Sequence, residues 1–167
     1  MAWTHDHPLM FAFRDVISGD GFLAGITVSG RCLMVMEGDE YWMYGVRPGG
    51  LSETADSPQT LLAKFRRRYK EILFDIADEC RDFESFEKEI KRFFLEPDSE
   101  EERRWEKAVS KARSENLLPP QELIDLPKES PETRPSQITI ERLDGAEAKR
   151  FMPTDNVRNT FVALRAA

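Results

Sequence analysis

Cysteine and histidine are scarce in this chain of 167 residues, with two of each, and their scarcity closes off several chemistries at once. Cys32 and Cys80 stand far apart with no CxxC pair, which gives neither a disulfide framework nor a zinc motif. His5 and His7 flank Asp6 near the N-terminus, and no further ligand has the spacing to complete a closed metal site of about four ligands. The expectation is adventitious metal or none. Nucleophilic catalysis meets the same obstacle. Cys32, inside an apolar run, and Cys80, at a helix end, have no visible base and read as structural cysteines.

Phosphate-binding loops are missing as well. The one Gly-rich corner, "RPGGLS", has neither the lysine and helix placement of a P-loop nor a GxGxxG pattern. No apolar run approaches the roughly 20 residues of a membrane-spanning helix. No basic-then-apolar leader opens the sequence, so a reduced, cytoplasmic setting without membrane contact is expected. Positive charge is in deficit too: 24 Lys and Arg against 31 Asp and Glu leave a net −7, a field that repels phosphate backbones and anionic lipid. A nucleic-acid role would therefore need a local basic patch.

What the chain does have is a 40% hydrophobic share beside 33% charged residues, the profile of one globular domain with a solvated helical surface. From Leu9 to Val46 the runs "LMFAFRDVI", "FLAGITV", "RCLMVME" and "YWMYGV" have strand texture, separated by Gly and Asp turns of hairpin length. They predict an antiparallel meander. Ser29-Gly30 reads either as a tight turn or as a bulge within one long strand, giving three or four strands. The corner Pro48-Gly49-Gly50 then demands a residue at positive φ, at Gly49 or Gly50.

The period changes after the corner. Leu61, Phe65, Tyr69, Ile72 and Ile76, with Leu62 and Leu73 beside them, mark a helix from Pro58 to about Glu79, capped by Asp56 or Ser57. Leu61, Leu62, Phe65, Tyr69, Leu73 and Ile76 are expected against the sheet. A second helical pattern carries Phe83, Phe86, Ile90 and Phe93 or Phe94. A third starts at Asp98 or Ser99 and runs through Trp105, Ala108, Val109 and Ala112 to about Asn116. Five prolines between Leu118 and Pro135 rule out a long element there, with one turn of helix at Glu122 to Asp125. "SQITIERL" alternates as a strand, and "NVRNTFVALRAA" fits strand or short helix.

These readings divide the chain into a mobile N-terminus (1–8), a sheet-plus-helix core (9–80), a helical hairpin insertion (81–117), a Pro-rich linker (118–135) and a C-terminal strand and tail (136–167). The fold class is α+β: an antiparallel β-meander packed by one long helix, with a late strand joining the sheet. Trp42 reads as core, and Trp3 as interface or mobile terminus.

One positive cluster stands out, "KFRRRYK", with Lys64, Arg66, Arg67, Arg68 and Lys70. Three consecutive arginines spread over most of a helix circumference, so at least one must lie against the sheet or a neighbour. Ion pairing with nearby acids competes with contact to RNA or an acidic partner. Asp75, Asp78 and Glu79 read as a solvated helix face rather than an acid–base pair.

The run "YWMYGVRPGGLSETADSPQTLLAKFRRRYKEIL" resembles the core of the HicB-like family, in which a strand ends at a Pro-Gly corner and is followed by a short strand, a polar turn and an amphipathic helix. Pro48, Gly49 and Gly50 match the corner, Leu51 to Thr54 the strand, Asp56 and Ser57 the turn, and Leu61 to Leu73 the helix. About a quarter of the chain is covered. The resemblance implies a partial ribonuclease H-like β-β-β-α-β module, with the strand at Ile138 to Leu143 joining the sheet after the helix. It also implies an antitoxin-like role for this chain, with a small basic toxin ribonuclease as its partner. The operator-binding tail of many relatives has no counterpart, because "SQITIERL" is not followed by two short helices.

The expected function is thus a non-enzymatic module that binds a protein partner. A second copy of the chain is an open alternative as partner. Two readings compete with this one. One is RNA binding through Lys64 to Lys70, and the other is a small-molecule enzyme with its site between sheet and helical insertion.

Overall fold

A computed structural model describes residues 5–96, 98–124, 137–150 and 161–163. The chain opens with β1 (His7–Gly19) and β2 (Phe22–Glu37), joined at Asp20-Gly21 and paired along all of β1, from His7↔Met34 to Gly19↔Phe22. β3 (Glu40–Arg47) and β4 (Gly49–Ala55) extend the meander. α1 (Pro58–Glu79), α2 (Phe83–Leu95), α3 (Ser99–Ser114) and the single turn α4 (Gln121–Ile124) follow. β5 (Gln137–Leu143), α5 (Gly145–Arg150) and β6 (Phe161–Ala163) close the order. The sheet runs β4-β3-β2-β1-β6, with β5 paired to β2. The fold is α+β, with the long helix on the sheet and late strands joining it.

The ambiguity at Ser29-Gly30 resolves in favour of one long strand. β2 pairs with β1 from Phe22 to Met34 on one edge, while on the other β5 takes Leu23–Ser29 and β3 takes Arg31–Glu37. The irregularity falls between Arg31 and Cys32, where Arg31 pairs with Arg47 but Cys32 with Gly45, leaving Val46 as the extra residue of a bulge in β3. Gly45 is required there, because a Cβ would collide with the Pro48 carbonyl oxygen. At the corner, Gly50 takes φ 71° and Gly49 does not take a positive φ, so the demand for left-handed backbone falls on the second glycine.

Alternate side chains of the strands face two different environments. Leu9, Phe13, Ile17, Ile26, Val28, Cys32, Met34 and Met43 share one buried core with Leu61, Phe65, Tyr69, Leu73 and Ala77 of α1 and with Phe86, Ile90 and Phe94 of α2. Leu33 and Val46, of opposite parity, instead meet Ala108 of α3, flanked by Tyr44 and Trp105. α1 and α2 therefore cover one face and α3 the other.

This corrects the expected hairpin of α2 with α3. The hairpin is α1 with α2: they are connected by Cys80–Asp82, and the Phe93 ring lies 6.3 Å from that of Tyr69, each ten residues or so from the connection, as antiparallel helices require. Ile76 packs against the same core, as expected, but only in part. It is half-buried at the helix edge, and Ala77, four residues on from Leu73, holds the fully buried position.

The N-terminal boundary also moves. His7 and Pro8 belong to β1, and Asp6 is fixed by Arg104, so residues 5–8 are part of the fold; Trp3 lies outside the described residues. In the Pro-rich stretch, Leu123 of α4 is buried in the main core, and residues 125–135 lie outside the described residues. α5 had no counterpart in the reading above. It is announced by a capping box, in which Asp144 Oδ1 accepts from the N–H groups of Ala146 and Glu147 while Glu147 Oε2 accepts from that of Asp144. No described helix is long and apolar enough to cross a membrane.

Candidate partner-binding surface

The α1–α2 hairpin owes its geometry to two caps. Ser57 Oγ accepts the Thr60 N–H at 3.2 Å with Pro58 in the first turn, and Asp82 Oδ1 accepts the Ser85 N–H at 2.8 Å. The second bond favours the charged carboxylate and holds Asp82 below its ordinary pKa. Tight capping after a three-residue connection forces α2 back along α1. Their inner sides fill the core, which leaves an open groove along their outer sides of about 610 Å³.

Ile72 and Ile76, one turn apart on α1, form the floor of that groove with Phe93 of α2; all three are half-buried. The rim is charged. Glu79, Glu89 and Glu96 line it with Arg81 and Arg92, and Arg92 is already engaged by Glu89 at 2.8 Å and Glu96 at 3.6 Å. Cys80 sits at the closed end, its thiol pKa raised by burial and further by Glu89, Glu79 and Asp82.

The basic cluster does not survive folding as one patch. Arg66 is 8% exposed, with Nη1 donating to the Ala12 carbonyl at 2.7 Å and the guanidinium 5.6 Å from the Phe13 ring centroid. Lys70 pairs at 2.6 Å with Asp15, a carboxylate buried in β1. Positions 66 and 70 share the side of the helix that carries 62, 65, 69 and 73, so they turn to the sheet. Lys64 donates to the Thr54 carbonyl at 3.0 Å, and Arg68 lies 4.0 Å from Glu71. Arg67 and Arg68 remain exposed. At least one arginine had to face inward, and Arg66 is that one.

Pro48, Gly49 and Gly50 act as a structural seat. A Cβ on Gly49 would lie 2.8 Å from Cβ of Asp98, which caps α3 by accepting the Glu101 N–H. Around it, α3 is tied to the sheet by polar contacts. Arg104 makes two hydrogen bonds to Asp6, at 2.6 and 3.2 Å, and lies over the Tyr44 ring, Arg31 lies over Trp105, and Arg47 pairs with Glu102. Trp42 stacks on Tyr44 and is half-buried rather than core.

Asp6 thus serves Arg104, and burial lowers the His7 pKa to about 4, with His5 adding to the shift. Among the described residues no three His, Cys, Asp or Glu side chains are grouped to hold a metal. Cys32 is fully buried, which drives its thiol pKa well up, and its Sγ lies 3.7 Å from the Leu9 carbonyl. The space between sheet and α2, where a small-molecule site was an alternative, is filled by Phe22, Phe86, Ile90 and Phe94.

The groove residues escaped the sequence reading because Ile72 and Ile76 fit the core stripe and Glu79, Glu89 and Glu96 fit a solvated face. The signal present was the breadth of the stripe: Ile72 and Ile76 lie beside Leu73 and Ala77, wider than one sheet contact uses. Comparison of this chain with protein-family models, curated proteins and solved structures found no match.

Proposed function

We propose that this chain is a non-enzymatic interaction module that binds a basic protein partner through its acidic helical layer. The carrying observation is the distribution of charge. Residues 71–96 hold nine acids against four bases, a net −5 of the chain's −7, and Glu71, Asp75, Asp78, Glu79, Asp82, Glu84 and Glu96 are all exposed. Such a surface attracts and orients a cationic partner.

The HicB-like reading accords with this proposal. The unit from β3 through the corner, β4 and α1 has the order the resemblance implies, and β5 enters the sheet after the helix. An antitoxin-like role, with a small basic toxin ribonuclease as the partner, is its natural extension. Two free cysteines fit a reducing, cytoplasmic setting.

Affinity purification from the native host, with mass spectrometry of what is retained at low and moderate salt, tests the reading. A basic protein released as salt rises supports it, because attraction between exposed charges fades over a Debye length of about 8 Å at physiological ionic strength. Retention of RNA or a metabolite in place of a protein overturns it.

A further inference from the structure

The groove between α1 and α2 suggests how such a partner would be held, and the inference rests on the reading just given. We propose that it receives one amphipathic, basic helix of the partner, laid along the hairpin as a third helix of the layer.

The two walls decide the secondary structure of the occupant. Both are helices whose backbone groups bond within the helix, so an extended peptide would find no ladder to join, whereas a helix can pack its side chains between theirs. Length follows from the walls. The lining from Ser85 to Glu96 spans about 16 Å at 1.5 Å per residue, which matches about three turns of helix.

Chemistry decides the faces of the occupant. Its inner stripe meets Ile72, Ile76 and Phe93, so it is aliphatic or aromatic at three- and four-residue spacing. Its flanks meet Glu79 on one wall and Glu89 and Glu96 on the other, which calls for Lys or Arg on both sides of that stripe. Arg92 offsets one of the two charges on its own wall, so Glu89 and Glu96 keep a net −1 there, and Arg81 stands as a second lining cation at the end where α1 and α2 connect. The occupant's least basic turn belongs there. Charge complementarity and the apolar floor thus select the same ligand.

A fluorescein-labelled Leu/Lys amphipathic peptide of about 15 residues, the length at which an isolated helix becomes viable, is the probe. Anisotropy with the full chain should show binding that weakens with salt. Ile76→Lys and the double change Glu89→Gln with Glu96→Gln should each weaken it about tenfold. Trp42→Ala, on the opposite face, should leave it unchanged. Thermal melts of each variant establish that the fold persists, and amide chemical shifts should move at Ile72, Ile76 and Phe93. Absence of peptide binding, equal binding by wild type and Ile76→Lys, or shifts centred on Trp42 and Tyr44 would each overturn the groove assignment. The host purification separates the two levels. A basic partner retained equally by wild type and Ile76→Lys removes the groove and leaves the proposed function standing, whereas RNA or a metabolite in its place removes the function itself.

Discussion

The two faces of one sheet are built from alternate residues of the same strands, yet they are held by different physics. On the α1–α2 face, Phe13, Phe65, Tyr69, Phe86 and Phe94 are almost wholly removed from water, and Phe13 meets Tyr69 edge to face with ring centroids 4.8 Å apart. On the α3 face, the buried group is only Leu33, Val46 and Ala108, with Tyr44 and Trp105 packed in part against it, and ion pairs and cation–π contacts add to the attachment. Apolar burial is worth roughly 25 cal/mol per Å² and is not screened by salt, while exposed ion pairs are worth about 0–1 kcal/mol and are screened. The first face stabilises the domain. The second positions a helix that salt and local opening can loosen.

That contrast is broken most directly at Phe65. Phe65→Ala should cost about 3–5 kcal/mol in chemical denaturation, since its ring is buried between α1 and the sheet. A loss below about 1 kcal/mol would mean that the α1–α2 face is not the main store of stability.

A smaller effect is expected in acid. His7 is held neutral to about pH 4, while the unfolded chain protonates it near the ordinary histidine value of 6.5. Between these values the unfolded state binds more protons, so stability falls as pH drops from about 6.5 towards 4. After discounting for partial exposure, the loss should be about 1–2 kcal/mol. Denaturation of wild type and His7→Gln at several pH values checks it. An unchanged slope in the variant would assign the acid sensitivity elsewhere.

Gly50→Val should destabilise by about 1 kcal/mol or more, because a β-branched residue is strained at φ 71°. Gly50→Asn should recover part of that loss if backbone conformation is the cause. A double-mutant cycle on Asp6→Asn and Arg104→Met should give the smallest value, about 0.2–1 kcal/mol, and shrink in high salt. Hydrogen exchange sharpens the same contrast. Amides of α3 should open at lower free energy than those of α1, and the gap should widen with salt.

Local pattern was enough for much of this molecule. The meander, the corner glycine, the Ser57 and Asp98 caps and the inward positions of Leu61, Phe65, Tyr69 and Leu73 follow from residues near one another in sequence. The groove was not legible, because a half-buried Ile76 and a buried Ala77 have the same neighbours in sequence and differ only in what packs on them. Arg66 and Arg67 likewise adjoin in sequence, and folding sends one to the Ala12 carbonyl and the other to solvent.

Sequence alone determined the strands of the meander, the long helices and the corner after β3, because period, capping and glycine freedom are short-range effects, while α5 and the continuity of β2 at Ser29-Gly30 emerged from the structure. Tertiary structure decided which helix pairs with which, that α3 crosses to the opposite face, and that "KFRRRYK" is divided between core and surface. Those outcomes depend on the burial of whole faces against one another, a sum over residues distant in sequence that no local window contains.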